Sequence, residues 1–219
     1  LELGGSNALV VFADADLDNA VKTCVQARFQ NTGQSCIAGK RLLLHKDIEM
    51  EFTAKFCNQV SKLRSGDPMD RETYIGVLAR EDLAKDLEKQ VNTSVKMGAK
   101  IILGGNRKGT YFEPTVLGNV TPEMPVFKEE TFGPAIGITV FGTDEEAVDL
   151  VNISCFGLGV SIFTRDMGRV KRLAPLFDEG AVFVNELVKS DPRLPFGGIK
   201  ISGYGRELSA HGIQEFVNK

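Results

Sequence analysis

The chain has 219 residues, with 26 Lys and Arg against 29 Asp and Glu, a formal net charge of −3, two histidines and four cysteines. That length supports one full hydrophobic core, and the mild acidic balance excludes the basic footprint of a nucleic-acid or anionic-membrane partner. Cysteines at 24, 36, 57 and 155, none in CxxC spacing, exclude a zinc site and a disulfide framework and predict free thiols in a reducing cytoplasm.

In chain order, Ala8 to Phe12 is a short Val-containing apolar run that predicts a buried strand. Asp14 or Asp16 can cap a following helix that carries Leu17, Ala20, Val21, Cys24 and Ala27 on one face. Asn31-Thr32-Gly33 breaks that helix, and Arg41 to His45 returns as a strand. Asp47 is placed to cap the next helix, where Ile48, Phe52, Phe56, Val60 and Leu63 recur at helical spacing until Ser65-Gly66-Asp67-Pro68 ends it. A charged amphipathic helix is predicted over roughly 79–97, a strand over Ile101 to Leu103 and a turn at Gly104-Gly105. Irregular short strands follow over 111–127, punctuated by Pro114, Pro122 and Pro125. Strands are expected over 136–141, 158–163 and 181–184, and helices over 144–152 and 166–174. The tail from Lys189 is glycine-rich and loop-like before a helical turn near 206–211. No run of about 18 apolar residues is present to span a membrane. Alternating strands and helices predict one α/β domain over 1–219 with a mostly parallel sheet flanked by helices. In such sheets functional residues are expected in loops at the carboxyl ends of the strands.

Cys36 lies in the segment Asn31-Thr32-Gly33-Gln34-Ser35-Cys36-Ile37-Ala38-Gly39-Lys40-Arg41. In a polar loop between a helix and a strand, nearby backbone N–H groups would stabilise a thiolate and an oxyanion on an attacked carbonyl. Cys24 occupies an apolar helix position and reads as core, and Cys57 and Cys155 have no suggestive neighbours. His45 and His211 read as structural or surface histidines rather than as the base of a Cys–His pair.

This loop resembles the active-site signature of the aldehyde dehydrogenase superfamily, in which the nucleophile follows an Asn-x-Gly-Gln-x pattern. Three further segments resemble that family's motifs in the right order. Leu1-Glu2-Leu3-Gly4-Gly5 resembles its glutamate motif, with Glu2 lying 34 residues before Cys36. Glu129-Glu130-Thr131-Phe132-Gly133-Pro134 resembles its cofactor-contacting motif. Pro195-Phe196-Gly197-Gly198-Ile199-Lys200, followed by Ser202-Gly203, resembles the late motif that borders the substrate tunnel.

The resemblance implies a three-layer catalytic domain of aldehyde dehydrogenase type. It implies Cys36 as the nucleophile that forms a thiohemiacetal and then a thioester, with its own backbone N–H as an oxyanion donor. Glu2 becomes the base that activates water, its pKa raised by an apolar, closed site. Glu130 is implied to bind the nicotinamide-side ribose hydroxyls of NAD or NADP, and Phe132 to pack beside the nicotinamide ring; Lys128 and Glu129 are scaffold. Phe196 is implied to border the substrate.

Residues 185–194 resemble the corresponding loop of bacterial succinate-semialdehyde dehydrogenases. That implies a distal carboxylate held by Ser190 and Arg193, with Lys189 a weaker candidate. Some enzymes of that activity place an arginine six residues before the nucleophile, where this chain has Gln30, a hydrogen-bond donor without charge. An uncharged aliphatic aldehyde therefore stays open as substrate. A cofactor-independent thiol hydrolase and a non-catalytic structural relative are the readings from other classes. No GxGxxG run opens a helix after a strand, so the resemblance implies an upstream dinucleotide-binding domain for the adenine and pyrophosphate. A chain that opens on Leu1 and closes before the family's C-terminal oligomerisation strand is expected to be the catalytic part of a longer homodimer or homotetramer, inactive alone.

Overall fold

Two unbroken apolar runs, Ala8-Leu9-Val10-Val11 and Leu42-Leu43-Leu44, are all at most 1% exposed. Strands of that kind need cover on both faces, which a parallel sheet between helix layers provides. The computed structural model describes residues 1–218. Its strands are β1 (Asn7–Val11), β2 (Gly39–His45), β3 (Lys100–Leu103), β4 (Arg107–Lys108), β5 (Tyr111–Phe112), β6 (Thr115–Gly118), β7 (Ala135–Phe141), β8 (Phe156–Gly157), β9 (Val160–Phe163), β10 (Val182–Val184) and β11 (Ile199–Lys200). Its helices are α1 (Leu17–Phe29), α2 (Glu49–Val60), α3 (Glu81–Lys96), α4 (Pro125–Lys128), α5 (Asp144–Asn152), α6 (Met167–Leu173) and α7 (Ser209–Gln214).

The central sheet runs β10-β9-β1-β2-β7-β6-β3. Every pair in it is parallel except β3 with β6. Alternation along the strands sends Leu9, Val11, Leu42 and Leu44 to one face, where Ala20, Cys24, Phe29, Phe52 and Phe56 of α1 and α2 cover them. Ala8, Val10 and Leu43 point to the other face, against Leu87 and Val91 of α3, Ala147 and Val151 of α5 and Val170 of α6. The result is the three-layer α/β domain expected from the sequence. Among the described residues no helix is long and apolar enough to cross a membrane.

Four local expectations are corrected. Asp47 does not cap α2: Ile48 takes that place with no side-chain cap bond, because its N–H closes onto the His45 carbonyl at 3.0 Å and its side chain enters the core. Residues 125–128 form a helical turn with Pro125 at its start, where the ring's fixed φ suits a helix rather than a strand. The strand expected over 158–163 is shorter and starts at Val160 as β9. The late helical turn starts at Ser209, because Phe196 and Glu207 exchange backbone hydrogen bonds of 2.9 and 2.7 Å that keep Glu207 extended. At the start of α1 the alternatives resolve to Asp16, whose carboxylate accepts from the Asn19 N–H at 3.1 Å.

Candidate active site

Glu2 precedes β1, Cys36 precedes β2, and Glu130 and Phe132 precede β7. These strands are parallel neighbours, so the candidate residues converge beyond the amino ends of the strands, opposite to the expected side. The cause lies in the return path. Helix α1 carries the chain back from the carboxyl end of β1 and ends at Phe29, and a turn must follow before β2. Asn31, Thr32 and Gly33 make it with φ of 53°, 57° and 72°. Gly33 is required twice over, since a Cβ there would lie 2.5 Å from the Gly133 carbonyl oxygen of the Glu130 loop. The nucleophile loop thus follows the C-terminal, negative end of a helix. Support for a thiolate must come from elsewhere.

It comes from Lys40, which the motif pattern gives no role. Lys40 is fully buried, with its Nζ donating to the carbonyls of Ser35 at 2.7 Å and Cys36 at 2.8 Å. The same nitrogen is 3.2 Å from Glu130 Oε1 and 5.9 Å from the centre of the Phe132 ring. Arg28, also fully buried, donates to the Gly39 carbonyl at 3.1 Å and the Thr131 carbonyl at 3.0 Å. Burial, and then the charge of Arg28, push the Lys40 ammonium down to about 8, against the pull of Glu130. Burial pushes Arg28 down to about 9.

Cys36 is half-buried and packs against the apolar cluster of Leu158, Val188 and Phe196. Burial pushes its thiol up, as does the charge of Glu2; Lys40 and the Ile37 N–H pull it down, and burial prevails. The backbone N–H donors expected from the loop are outweighed by this desolvation. Glu2 forms a β-bridge with Gly203, and its carboxyl is raised by partial burial, then by the charge of Glu207, with a hydrogen bond between the two side chains. Glu2 is nonetheless exposed, in an open pocket of about 430 Å³ that Phe196, Tyr204, Arg206 and Glu207 also line, not in a closed apolar site. Glu207 went unread because nothing local pairs it with Glu2. The bridges Glu2–Gly203 and Phe196–Glu207 bring them together.

Glu130 meets the chemistry of a nicotinamide ribose. Its Oε1 is anchored by Lys40 and by the Gly5 N–H at 3.1 Å. Its Oε2 lies over Gly4, where a Cβ would come within 2.7 Å. The side chain keeps 23% exposure, and Phe132 beside it is 38% exposed. A carboxylate with an accessible oxygen next to an exposed ring suits a diol bearing an aromatic base. Phe196 is buried in the same cluster that Cys36 packs against.

The three remaining candidates stand apart. Gln30 is exposed, its backbone N–H bonded to the Gln26 carbonyl at the end of α1. Ser190 is exposed, and the Arg193 fork is engaged by Asp191 at 2.9 and 2.6 Å. Lys189 is likewise paired with Glu186 at 2.8 Å. No hydrogen bond or ion pair among the described residues joins Gln30, Ser190 or Arg193 to Cys36, Glu2 or Glu130. His45 ends β2 at the far side of the sheet, roughly 20 Å from Cys36 by strand rise, edge-on to Phe141, and His211 is an exposed residue of α7. Among the described residues no group of three His, Cys, Asp or Glu is arranged to hold a metal.

Comparison with known proteins bears on the family and the fold. The family model described as "Aldehyde dehydrogenase family" matches residues 1–219. The chain is 47% identical to a succinate semialdehyde dehydrogenase [NAD(P)+] of Escherichia coli, over the whole of this chain and 48% of that protein. It is 46% identical to succinate-semialdehyde dehydrogenase [NADP(+)] 1 of Mycobacterium tuberculosis, again over 100% of this chain and 48% of the relative. The crystal structure of succinate-semialdehyde dehydrogenase from Burkholderia pseudomallei superposes with a TM-score of 0.96 at 40% identity, covering 99% of this chain and 45% of that one. The chain therefore spans about half the length of the curated relatives it matches.

Proposed function

The chain belongs to the aldehyde dehydrogenase family, and on that premise we propose that it carries the catalytic residues of an NAD- or NADP-dependent enzyme oxidising succinic semialdehyde to the acid. The observation that carries the reading is the convergence of Cys36, Glu130 and the Glu2–Glu207 pair on one corner of the sheet.

Cys36 gives up its proton and its sulfur adds to the aldehyde carbon, forming a tetrahedral thiohemiacetal. The Cys36 backbone N–H donates to the new oxyanion. Glu130 would accept from the ribose hydroxyls of a bound NAD or NADP, and Phe132 would pack beside its nicotinamide. When bound, the nicotinamide supplies the hydride acceptor. The product of that transfer is a thioester on Cys36. Glu2, its carboxyl raised by partial burial and by the charge of Glu207, takes a proton from water as the water attacks the thioester. Glu207 shares that proton through the carboxyl–carboxyl hydrogen bond.

A distal carboxylate would be held by Ser190 and Arg193, with Arg193 exchanging Asp191 for the substrate; Gln30 would offer a neutral donor only to a substrate that reaches the end of α1. The names of the relatives support the semialdehyde. A second reading, an uncharged aliphatic aldehyde, draws on the uncharged Gln30 and on the occupied Arg193 fork. Assembly as a homo-oligomer in the cytoplasm belongs to the same reading, supported by family membership and four free thiols. The test is kcat/KM of the intact protein for succinic semialdehyde against butanal, read as reduced nicotinamide. A preference above tenfold for the semialdehyde, lost in Arg193→Ala, is expected. Equal rates would favour the uncharged substrate, and no turnover of either would sink the reading.

A further inference from the structure

Among the described residues, Lys40 is the one cation bonded to the backbone of Cys36 itself. Its ammonium has three N–H groups and three acceptors around it: the Ser35 carbonyl, the Cys36 carbonyl and Glu130 Oε1. An ammonium buried this deeply is costly unless every proton is used and its charge is matched. Here both conditions hold, and two of the acceptors belong to the nucleophile loop while the third is the carboxylate that faces the ribose. The Gly5 N–H holds the same Glu130 oxygen from the Glu2 strand. We propose that Lys40 is a positioning residue that holds the nucleophile loop and the Glu130 carboxylate as one charge-linked unit. This rests on the assignment of Cys36 and Glu130 made above.

The chemistry makes such a unit useful. Sulfur at Cys36 faces negative charge from Glu2 ahead of β1 and Glu130 ahead of β7, and positive charge from Lys40 of β2, with the Ile37 N–H as a further donor. Arg28 of α1 faces Lys40 and Glu130 from behind. The loop follows the C-terminal end of α1, so no helix N-terminus offsets the two acids. Removing the Lys40 charge leaves the thiol between two carboxylates in a half-buried pocket. It also leaves Glu130 with the Gly5 N–H as its near anchor, free to swing away from the ribose. A lysine that only satisfied two carbonyls would do neither.

The test uses the intact protein and two readouts. The first is the rate of iodoacetamide labelling of Cys36 at pH 7, where Lys40, at about 8, still carries its charge, in cofactor-free protein, followed by peptide mass. Lys40→Met is expected to slow that labelling about tenfold. The second is the KM for the nicotinamide cofactor, expected to rise by about tenfold with a smaller change in kcat, the pattern of lost ground-state binding. Lys40→Arg keeps the charge and should return the pH 7 labelling rate to within about threefold of the parent. Should Lys40→Met be too unstable to purify, Lys40→Gln keeps an amide donor for the Cys36 carbonyl without charge and must show the same slowing. A labelling rate and a KM within twofold of the parent in the neutral variant would overturn the proposal. Turnover surviving in Cys36→Ala would instead overturn the assignment beneath it, so the two failures are distinguishable.

Discussion

The two ends of the parallel strands carry the same residue types and keep their charge in different places. At the amino end Arg28, Lys40 and Arg41 are at most 1% exposed. Arg41 donates to the carbonyls of Ser6, Leu150 and Val151 and lies 3.7 Å from Glu179. At the carboxyl end Asp14 accepts from the Thr164 hydroxyl at 2.8 Å, from the Arg165 and Asp166 N–H groups and from Arg169 at 2.6 Å. Arg169 also reaches Asp144 at 3.0 Å, and the three charged side chains stay 23–37% exposed. Water screens that second cluster, whereas buried charge keeps its field. The titration of the acids follows: burial pushes Glu179 up to about 8 against the pull of Arg41. For Asp14 burial is outweighed by hydrogen bonds from Thr164, Arg165 and Asp166 and by the charge of Arg169, and its carboxyl is held down. One end of the sheet uses charge to create a field, and the other uses it to stitch loops together.

Mutation can break or sharpen that contrast. The largest effect belongs to Cys36→Ala, which should remove aldehyde oxidation altogether in the intact protein; turnover within tenfold of the parent would end the amino-end reading. Next comes Arg41→Met, which strips three buried carbonyls of their donor and breaks the pair with Glu179. A loss of about 3–5 kcal/mol is expected from chemical denaturation, and a loss below 1 kcal/mol would show that burial does not decide the matter.

Glu2→Gln should leave the first half of the reaction running and accumulate a thioester on Cys36, visible by intact mass. In Glu207→Gln the effect is a shift. Glu2 must be ionised to act as base, and the Glu207 charge raises its pKa. Removing that charge should move the acid limb of deacylation to lower pH; an unmoved or rising limb would contradict the pairing.

The smallest effect belongs to the carboxyl end. Asp14→Asn should cost about 1 kcal/mol after allowance for screening, or roughly 2–4 °C in Tm, and leave the Cys36 labelling rate at pH 7 where it was. Because the Asp14 carboxyl is held below its unfolded value, its contribution is present above that range and lost as pH falls through the folded pKa. The Tm gap should therefore close below about pH 4.

Much of this was legible in the sequence, and the rest had identifiable causes. The alternation of strands and helices predicted the sheet, and the four motifs led to Cys36, Glu130, Phe132 and Phe196, which the fold gathers in one place. The amino-end placement was hidden because the general rule for such sheets points the other way, and only the left-handed turn at Asn31–Gly33 reveals the return path. The burial of Lys40 and Arg41 did leave a trace. A basic pair directly ahead of Leu42-Leu43-Leu44 stands at the head of a strand with no solvent face, so its charges had to be enclosed. Glu207 left none, since its partner is 205 positions away. Asp47 failed as a cap because Ile48 competes for the same turn with apolar surface, and burial won.

Because the proposed site lies where the strands begin, the turns where they end face away from it. Asp47, with a side chain 66% exposed, stands just past the seven residues of β2, about 20 Å from the Cys36 sulfur. A dye, bead or electrode linker attached at Asp47 would report on the protein or anchor it while the reacting corner stays turned toward solution.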